Sequence, residues 1–196
     1  TVCIYLMTIN RVLSNSVSRA LERSKGQGFT LIELMITISL LVILLGLAVP
    51  SYRSFVTSNR LTAQANELVG DLSLARNEAA SRSRNVRVCI AASSTSCAGS
   101  GSDWAAGWIV WADNNNNGSL EAGEVIKYVA PLAGGVSLAA TGPSSVSAMV
   151  YLPFGGLSAG SSTWTFTLCS PGETAGRTVT VPITGRASAK RITTCP

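Results

Sequence analysis

The stretch KGQGFTLIELM, Lys25–Met35, sets one glutamate near the start of an otherwise apolar run. From Phe29 to Val49 there are 21 residues, and Glu33 is the only charged one. A carboxylate at the centre of a membrane helix costs roughly 2.5–3.5 kcal/mol on insertion scales. Near one end it costs less, but it still needs a partner, so an ionisable side chain kept there is a functional suspect by default. Leu31–Val49 is long enough to span a bilayer, which takes about 20 apolar residues. Four basic residues precede it (Arg11, Arg19, Arg23 and Lys25) with one acid, Glu22, a net of +3. That bias places the N-terminus in the cytoplasm. A secretory signal peptide is the plainer reading, and Gly46-Leu47-Ala48 offers the small residues of a cleavage site. Signal cores, however, run to about 7–15 apolar residues, shorter than this one. A simple anchor accounts for the length, but not for a glycine, a phenylalanine and a glutamate in this order. The chain opens on Thr1 rather than methionine, and a start at Met7 would leave the same leader charges.

Composition narrows the function classes. The chain has 196 residues, 46% hydrophobic and 13% charged, which excludes a disordered polyelectrolyte. It has no histidine, and so lacks the commonest general base and metal ligand. There is no nucleophile elbow and no phosphate loop, so the sequence points to no enzyme. After residue 28 there are 11 basic and nine acidic residues, so any nucleic-acid argument must rest on local clusters.

Beyond Pro50, which is expected to kink the helix or melt a turn, helical periodicity continues. Leu61, Ala65, Leu68, Leu72, Ala75 and Ala79 recur at alternating spacings of four and three, one apolar stripe. Arg60, Gln64, Asn66, Asp71 and Asn77 are read as the opposite, polar face. The pattern predicts a helix over 30–83, about 80 Å long at 1.5 Å per residue. From Val86 the period changes to that of strands, expected at 86–90, 108–112, 125–130, 148–154, 164–169 and 177–183. Turn clusters at 99–103, 114–118, 142–145, 155–162 and 170–176 separate them. The layout is α+β: a long N-terminal helix, half membrane-embedded and half amphipathic, packed on a small antiparallel β-sheet domain. Trp108-Ile109-Val110-Trp111 is apolar on both faces, as in a strand buried on two sides, and with Trp104 it anchors a sheet.

Gly28-Phe29-Thr30-Leu31-Ile32-Glu33 resembles the class III signal of type IV pilins and pseudopilins. The resemblance implies cleavage after Gly28 by a prepilin peptidase and N-methylation of the new terminus, Phe29. It also implies that Glu33 pairs with the amino terminus of a neighbouring subunit and sets its axial register. The rest of the chain is similar to the GspH/FimT branch in an ordered series of pieces. These are Leu74–Ala79, Val88-Cys89, Asp103-Trp104, Gly107–Val110, Asp113–Glu124, Phe154–Gly156, Phe166–Cys169 and Thr184–Arg186, with a final cysteine. The implied organisation is a cleaved leader at 1–28, a hydrophobic helix at 29–50, its amphipathic continuation at 51–84 and a β-rich domain at 85–196. The implied protein is a minor subunit of a type IV pilus or pseudopilus, with a priming or tip role. A minor pseudopilin of type II secretion, pseudopilin H, is the first alternative, and a pilus-borne DNA receptor is the second. Its partners would be other pilins or pseudopilins, the prepilin peptidase and the inner-membrane assembly platform. It would sit in the inner membrane, single-pass, with a periplasmic globular part, before assembly.

Three further features are legible. Cys3 lies in the leader, and the other four cysteines allow three pairings. Local loop closure favours Cys89–Cys97 and Cys169–Cys195, and the periplasm permits disulfides. Asp113–Glu124 fits the twelve-residue calcium-loop pattern: Asp113, Asn115 and Asn117 at positions 1, 3 and 5, Gly118 at 6 and Glu124 at 12. Its flanks read as strands rather than helices, so a polar hairpin loop is the competing reading, and the expected role requires no cofactor. Finally, DNA-binding FimT-type pilins carry a basic tail of the form GRxR. Here Gly185-Arg186 matches, Ser188 replaces the second arginine, and Lys190 and Arg191 follow. Those three cations are the candidate contacts to double-stranded DNA. A strand edge protected by charge explains them equally. Arg82, Arg84 and Arg87 form a second cluster, read as complementing the helix dipole.

Overall fold

The computed structural model describes residues 28–142, 146–158 and 163–196, without the side chains of residues 47, 48, 50 and 51. Most of the leader, 1–27, and parts of the expected turns 142–145 and 155–162 lie outside the described residues. One helix, α1 (Leu31–Arg82), is followed by nine strands: β1 (Val86–Ser93), β2 (Ser96–Cys97), β3 (Trp108–Ala112), β4 (Val125–Val129), β5 (Ser137–Thr141), β6 (Ala148–Tyr151), β7 (Trp164–Cys169), β8 (Gly176–Val181) and β9 (Ser188–Ile192). A short 3-10 turn, Trp104–Ala106, precedes β3. The chain divides into two compact units, Thr1–Ala48 and Val49–Pro196. The amphipathic half of α1 therefore belongs to the same unit as the strands. Helical assignment continues through residue 50, so no turn is melted there.

The helix stops at a Schellman motif. The Arg84 N–H donates to Ala79 O (3.3 Å) and the Ser83 N–H to Ala80 O (3.4 Å). Ser83 takes the left-handed position usually given to glycine, with φ 52°. Immediately afterwards β1 begins.

The larger unit contains two antiparallel sheets. In the first, β1 lies between β3 and β6, β4 extends the β3 side, and β2 folds back on the end of β1. The second has the order β5-β7-β8-β9. The α1 stripe Leu61, Ala65, Leu68, Leu72, Ala75 and Ala79 is buried in one core with Val86, Val88 and Ile90 of β1, Val110 of β3, and Phe166, Leu168, Val179 and Val181 of β7 and β8. Trp104 joins the two sheets. Its ring meets Trp164 and Phe166 edge-on at centroid distances of 6.2 and 5.0 Å, and its indole N–H donates to Val146 O at 2.8 Å. The alternate residues Cys89, Ala91, Ile109 and Trp111 form a second, smaller core on the outer face of the first sheet. All five residues of β3 are buried, as a strand covered on both faces must be.

Three strands depart from the sequence expectation by being present at all. β5, SLAAT, alternates cleanly between exposed and buried, but is built from weak strand formers. β9, SAKRI, is an exposed edge strand without an apolar rhythm. A third, β2, is a two-residue hairpin arm. The expected strand 148–154 ends at Tyr151: the Gly155 N–H closes a turn on Leu152 O (2.7 Å), leaving Phe154 exposed. Burial pushes the Tyr151 phenol well above its ordinary range, with Arg76 pulling the other way.

Polar contacts hold the helix on the strands. Asp71, buried on α1, accepts from the Trp108 indole N–H (2.9 Å) and from the Lys127 ammonium (2.5 Å). The Arg76 guanidinium donates to Gly155 O at 2.9 Å, and that of Arg177 to Thr62 Oγ1 at 2.8 Å. Gly185, with φ 78°, brings the turn after β8 against Gly155, where a Cβ would meet Gly155 O at 2.1 Å.

Two outcomes follow for thermal or denaturant unfolding. Asp71→Ala strands the buried Trp108 N–H while Lys127, 39% exposed, turns to water, so the loss is that of one buried unsatisfied donor, about 1–3 kcal/mol. Ser83→Gly relieves the left-handed strain and raises stability by about 0.5–1 kcal/mol, the residual after glycine's own entropy cost.

Candidate functional site

At the N-terminal end, Gly28, Phe29 and Glu33 are all exposed, Phe29 by 81%. Thr30 caps the helix: the Glu33 N–H donates to Thr30 Oγ1 at 3.3 Å. Thr30-Leu31-Ile32-Glu33 is thus a threonine-x-x-glutamate capping sequence, and the acid stands in the first turn where the helix dipole favours it. That role of Thr30 was readable from the spacing but is eclipsed by the charge of Glu33. Among the described residues Glu33 has no ion-pair partner. Leu31–Leu45 presents exposed apolar side chains around the whole helix, as expected of a segment covered by something other than its own fold. Among the described residues no helix is long and apolar enough to cross a membrane. The run with described side chains, 31–46, is 16 residues, against the roughly 20 a span takes.

The cysteines pair as Cys89–Cys97 and Cys169–Cys195, with Cα separations of 5.7 and 5.9 Å. The first ties β1 to β2, and the second fastens the chain end beyond β9 to β7.

The tail cations do not converge. Arg186, Lys190 and Arg191 are all exposed, but β9 pairs Arg191 with Arg177 and Lys190 with Thr178. Successive strand residues point to opposite faces. Arg191 therefore shares the face of Arg177, whose guanidinium reaches the helix, and Lys190 lies on the other. Nor do Arg82, Arg84 and Arg87 form a free patch. Arg82, the last helical residue, pairs with Glu78 (2.6 Å); Arg84 donates to Asn114 O (2.7 Å); Arg87 pairs with Asp113 (3.3 Å) and lies over the Trp111 ring.

The loop Asp113–Glu124 spans the twelve residues between β3 and β4. Asp113 is fully buried, and its Oδ2 accepts from the Gly118 N–H at 3.0 Å. Glu124, also buried, accepts from the N–H groups of Asn114 (2.9 Å) and Glu121 (3.0 Å). Asn115 Oδ1 accepts from the Asn117 N–H (3.1 Å), and Asn117 Oδ1 from the Ser119 N–H (2.8 Å). Both asparagine amides donate to Glu121, at 3.0 and 2.7 Å. Asn116 and Gly118 take positive φ angles of 59° and 77°.

A family model for the type II transport protein GspH matches residues 64–185, more than half of the chain. The chain belongs to the GspH family. A model of the prokaryotic N-terminal methylation motif matches residues 23–49, directly ahead of it. Two crystal structures of the type IV minor pilin FimU of Pseudomonas aeruginosa PAO1 are similar. One has 23% identity and a TM-score of 0.52, over 72% of this chain and 99% of that one. The other, in a second crystal form, has 22% identity and a TM-score of 0.46, over 69% and 99%. The first likeness shows a shared fold, a long helix on antiparallel sheets. No curated protein matches the sequence significantly. The GspH-family chain is thus a type IV pilin-like protein with a methylation motif joined to its pilin domain through one helix.

Proposed function

We propose that this GspH-family chain is a minor structural subunit of a type IV pilus or pseudopilus, acting by helix packing and by priming or tip contacts rather than by catalysis. The observation that carries the reading is the junction of the methylation motif, 23–49, with the GspH domain, 64–185, on a single helix. Before assembly the chain sits once in the inner membrane, with its N-terminus cytoplasmic and its β-rich part periplasmic; the leader charge of +3 supports that orientation. A prepilin peptidase cuts after Gly28, and the new terminus Phe29 is methylated. The assembly platform then moves the helix into the filament. There Glu33, which has no ion-pair partner within its own described chain, meets the positive amino terminus of a neighbouring subunit. In a low-dielectric helix bundle that pairing offsets desolvation and selects one axial register. A type II secretion pseudopilus would use the same chemistry, and loss of secretion rather than of pili on deletion distinguishes it.

A DNA contact is a second reading, favoured by one observation: Arg186, Lys190 and Arg191 are exposed and free of ion pairs among the described residues. Their division between two sheet faces limits the number of phosphates they reach together to about two. The expected salt slope is then shallow, about −2 on a log–log plot.

Two experiments follow. In cells, Glu33→Gln is processed at Gly28 like the parent chain, as mass spectrometry of the N-terminus will show, but enters filaments at least tenfold less; incorporation at the parental level would sink the register role. In a titration of duplex DNA at two salt concentrations, the chain carrying Arg186→Gln, Lys190→Gln and Arg191→Gln loses the salt-dependent binding that the parent shows. Absence of binding by the parent at low salt removes the receptor reading.

A further inference from the structure

We propose that the β3–β4 hairpin loop, Asp113–Glu124, is a calcium site. The sequence places oxygen-bearing side chains at positions 1, 3, 5 and 12 of a twelve-residue loop with glycine at 6, the arrangement that wraps a hard cation. A spacing alone does not make a site. The independent observation is an orphaned acceptor: Asp113 is fully buried, and its Oδ1 has no hydrogen-bond partner. A buried carboxylate oxygen without a donor is costly, and calls for a compensating positive group. The same carboxylate is aimed into the loop, because its Oδ2 accepts from the Gly118 N–H across the ring at 3.0 Å. The orphan oxygen is the other atom of that same carboxylate.

The remaining ligands are arranged around it. Asn115 and Asn117 each use one amide-oxygen lone pair on a backbone N–H, and each oxygen keeps a second. Their amide nitrogens are fixed on Glu121, an outer carboxylate that orients ligands without needing to touch the ion. Glu124 is buried, with both oxygens held by backbone donors, and each likewise retains a lone pair. The loop backbone supplies the Ser119 carbonyl at position 7. No cluster of three acidic, histidine or cysteine side chains occurs among the described residues, so amide and carbonyl oxygens must complete the shell. That favours calcium, which accepts six to eight oxygens in flexible geometry, over magnesium or zinc. At twelve residues the loop is also long for a hairpin, which usually turns in two to five.

One cation already stands nearby. The Arg87 Nε lies 3.3 Å from Asp113 Oδ2, the oxygen that also accepts from the Gly118 N–H. It balances Asp113 when no metal is bound, and it opposes the metal when one is. With two formal carboxylate ligands and this arginine beside them, affinity falls in the range of extracellular modules, a Kd on the order of 0.1–1 mM.

The test uses the full chain in detergent with terbium and calcium as probes. Trp111, two residues before the first ligand, serves as the sensitiser. Terbium luminescence excited through tryptophan is expected to saturate, to be displaced by calcium and not by equimolar magnesium, and to accompany a calcium-specific rise in unfolding temperature. Asn117→Ala, at an exposed position, weakens binding at least tenfold in protein of native circular dichroism, as does Glu124→Gln. Arg87→Gln, which keeps a hydrogen bond to Asp113 but removes the charge, tightens it roughly tenfold, the effect of one charge on a divalent ion about 6 Å away in a water-like dielectric. No sensitised signal and no calcium-specific stabilisation at 10-fold the expected Kd, in protein whose circular dichroism is native, overturns the site. So does binding that Asn117→Ala and Arg87→Gln leave unchanged.

Discussion

One stripe of one helix has to cover two sheets, and the sizes along that stripe make it possible. Ala65, Ala75 and Ala79 share the stripe with Leu61, Leu68 and Leu72, all buried. Small residues let backbone and strand approach, and the bulk is supplied from the other side by Trp104, Trp108, Tyr151, Trp164 and Phe166. Large aromatics at the stripe positions would force the sheets away; a uniformly small stripe would leave voids under the tryptophans. Among the described residues, Asp71 and Gln64 are the buried polar residues of the helix. Burying the Trp108 indole N–H without an acceptor is costly, and the Asp71 carboxylate provides one while Lys127 balances its charge.

The two parts of α1 answer to different solvents. Within 49–196 the polar residues of the helix return to the fold as specific contacts: Arg76 to Gly155, Gln64 to Ala133, and Ser58 and Thr62 to Arg177. Within the first unit, Leu31–Leu45 has exposed apolar side chains on every face and serine or threonine hydroxyls that bond back to the helix's own carbonyls, as Thr37 does to Leu34 and Ser39 to Met35. Hydroxyls satisfied in this way suit an environment without water. Glu33 alone has no such internal solution, and its first-turn position next to the capping Thr30 keeps it at the very end of the segment.

Legibility of the fold follows period and side-chain type. The helix stripe, β1, β3 and β7 announce themselves by apolar spacing, and their bounds lie within a few residues of the expectation. β5 and β9 do not: alanine and serine carry no strand preference, and a largely exposed edge strand needs no apolar alternation. Pro50 reads as a break because proline removes one helical hydrogen bond, yet the helix continues through it. The arginines show the limit of counting charges. Arg82, Arg84 and Arg87 look like a patch in the sequence, but Arg82 pairs with Glu78 one turn earlier on the helix, and Asn114 and Asp113, the partners of Arg84 and Arg87, are reached only after the chain has turned back. The tail fails differently: Lys190 and Arg191 are adjacent in sequence and opposed in space because they lie in a strand.

The outer face of the first sheet explains why the hairpin loop carries so many hydrogen bonds of its own. Cys89, Ala91, Ile109 and Trp111 form a core too small to hold without a cover. The Cys89–Cys97 bond closes one side of it. On the other, Leu120, in the middle of the loop, packs against it beside Val125. Leu120 can reach that position only if the loop before it is wound tightly, which Gly118 and the Asp113 carboxylate enforce from within and Glu124 from the far end. Winding of the loop and burial of Trp111 are therefore one event. A cation held by the same carboxylates would set the order of an entire sheet face.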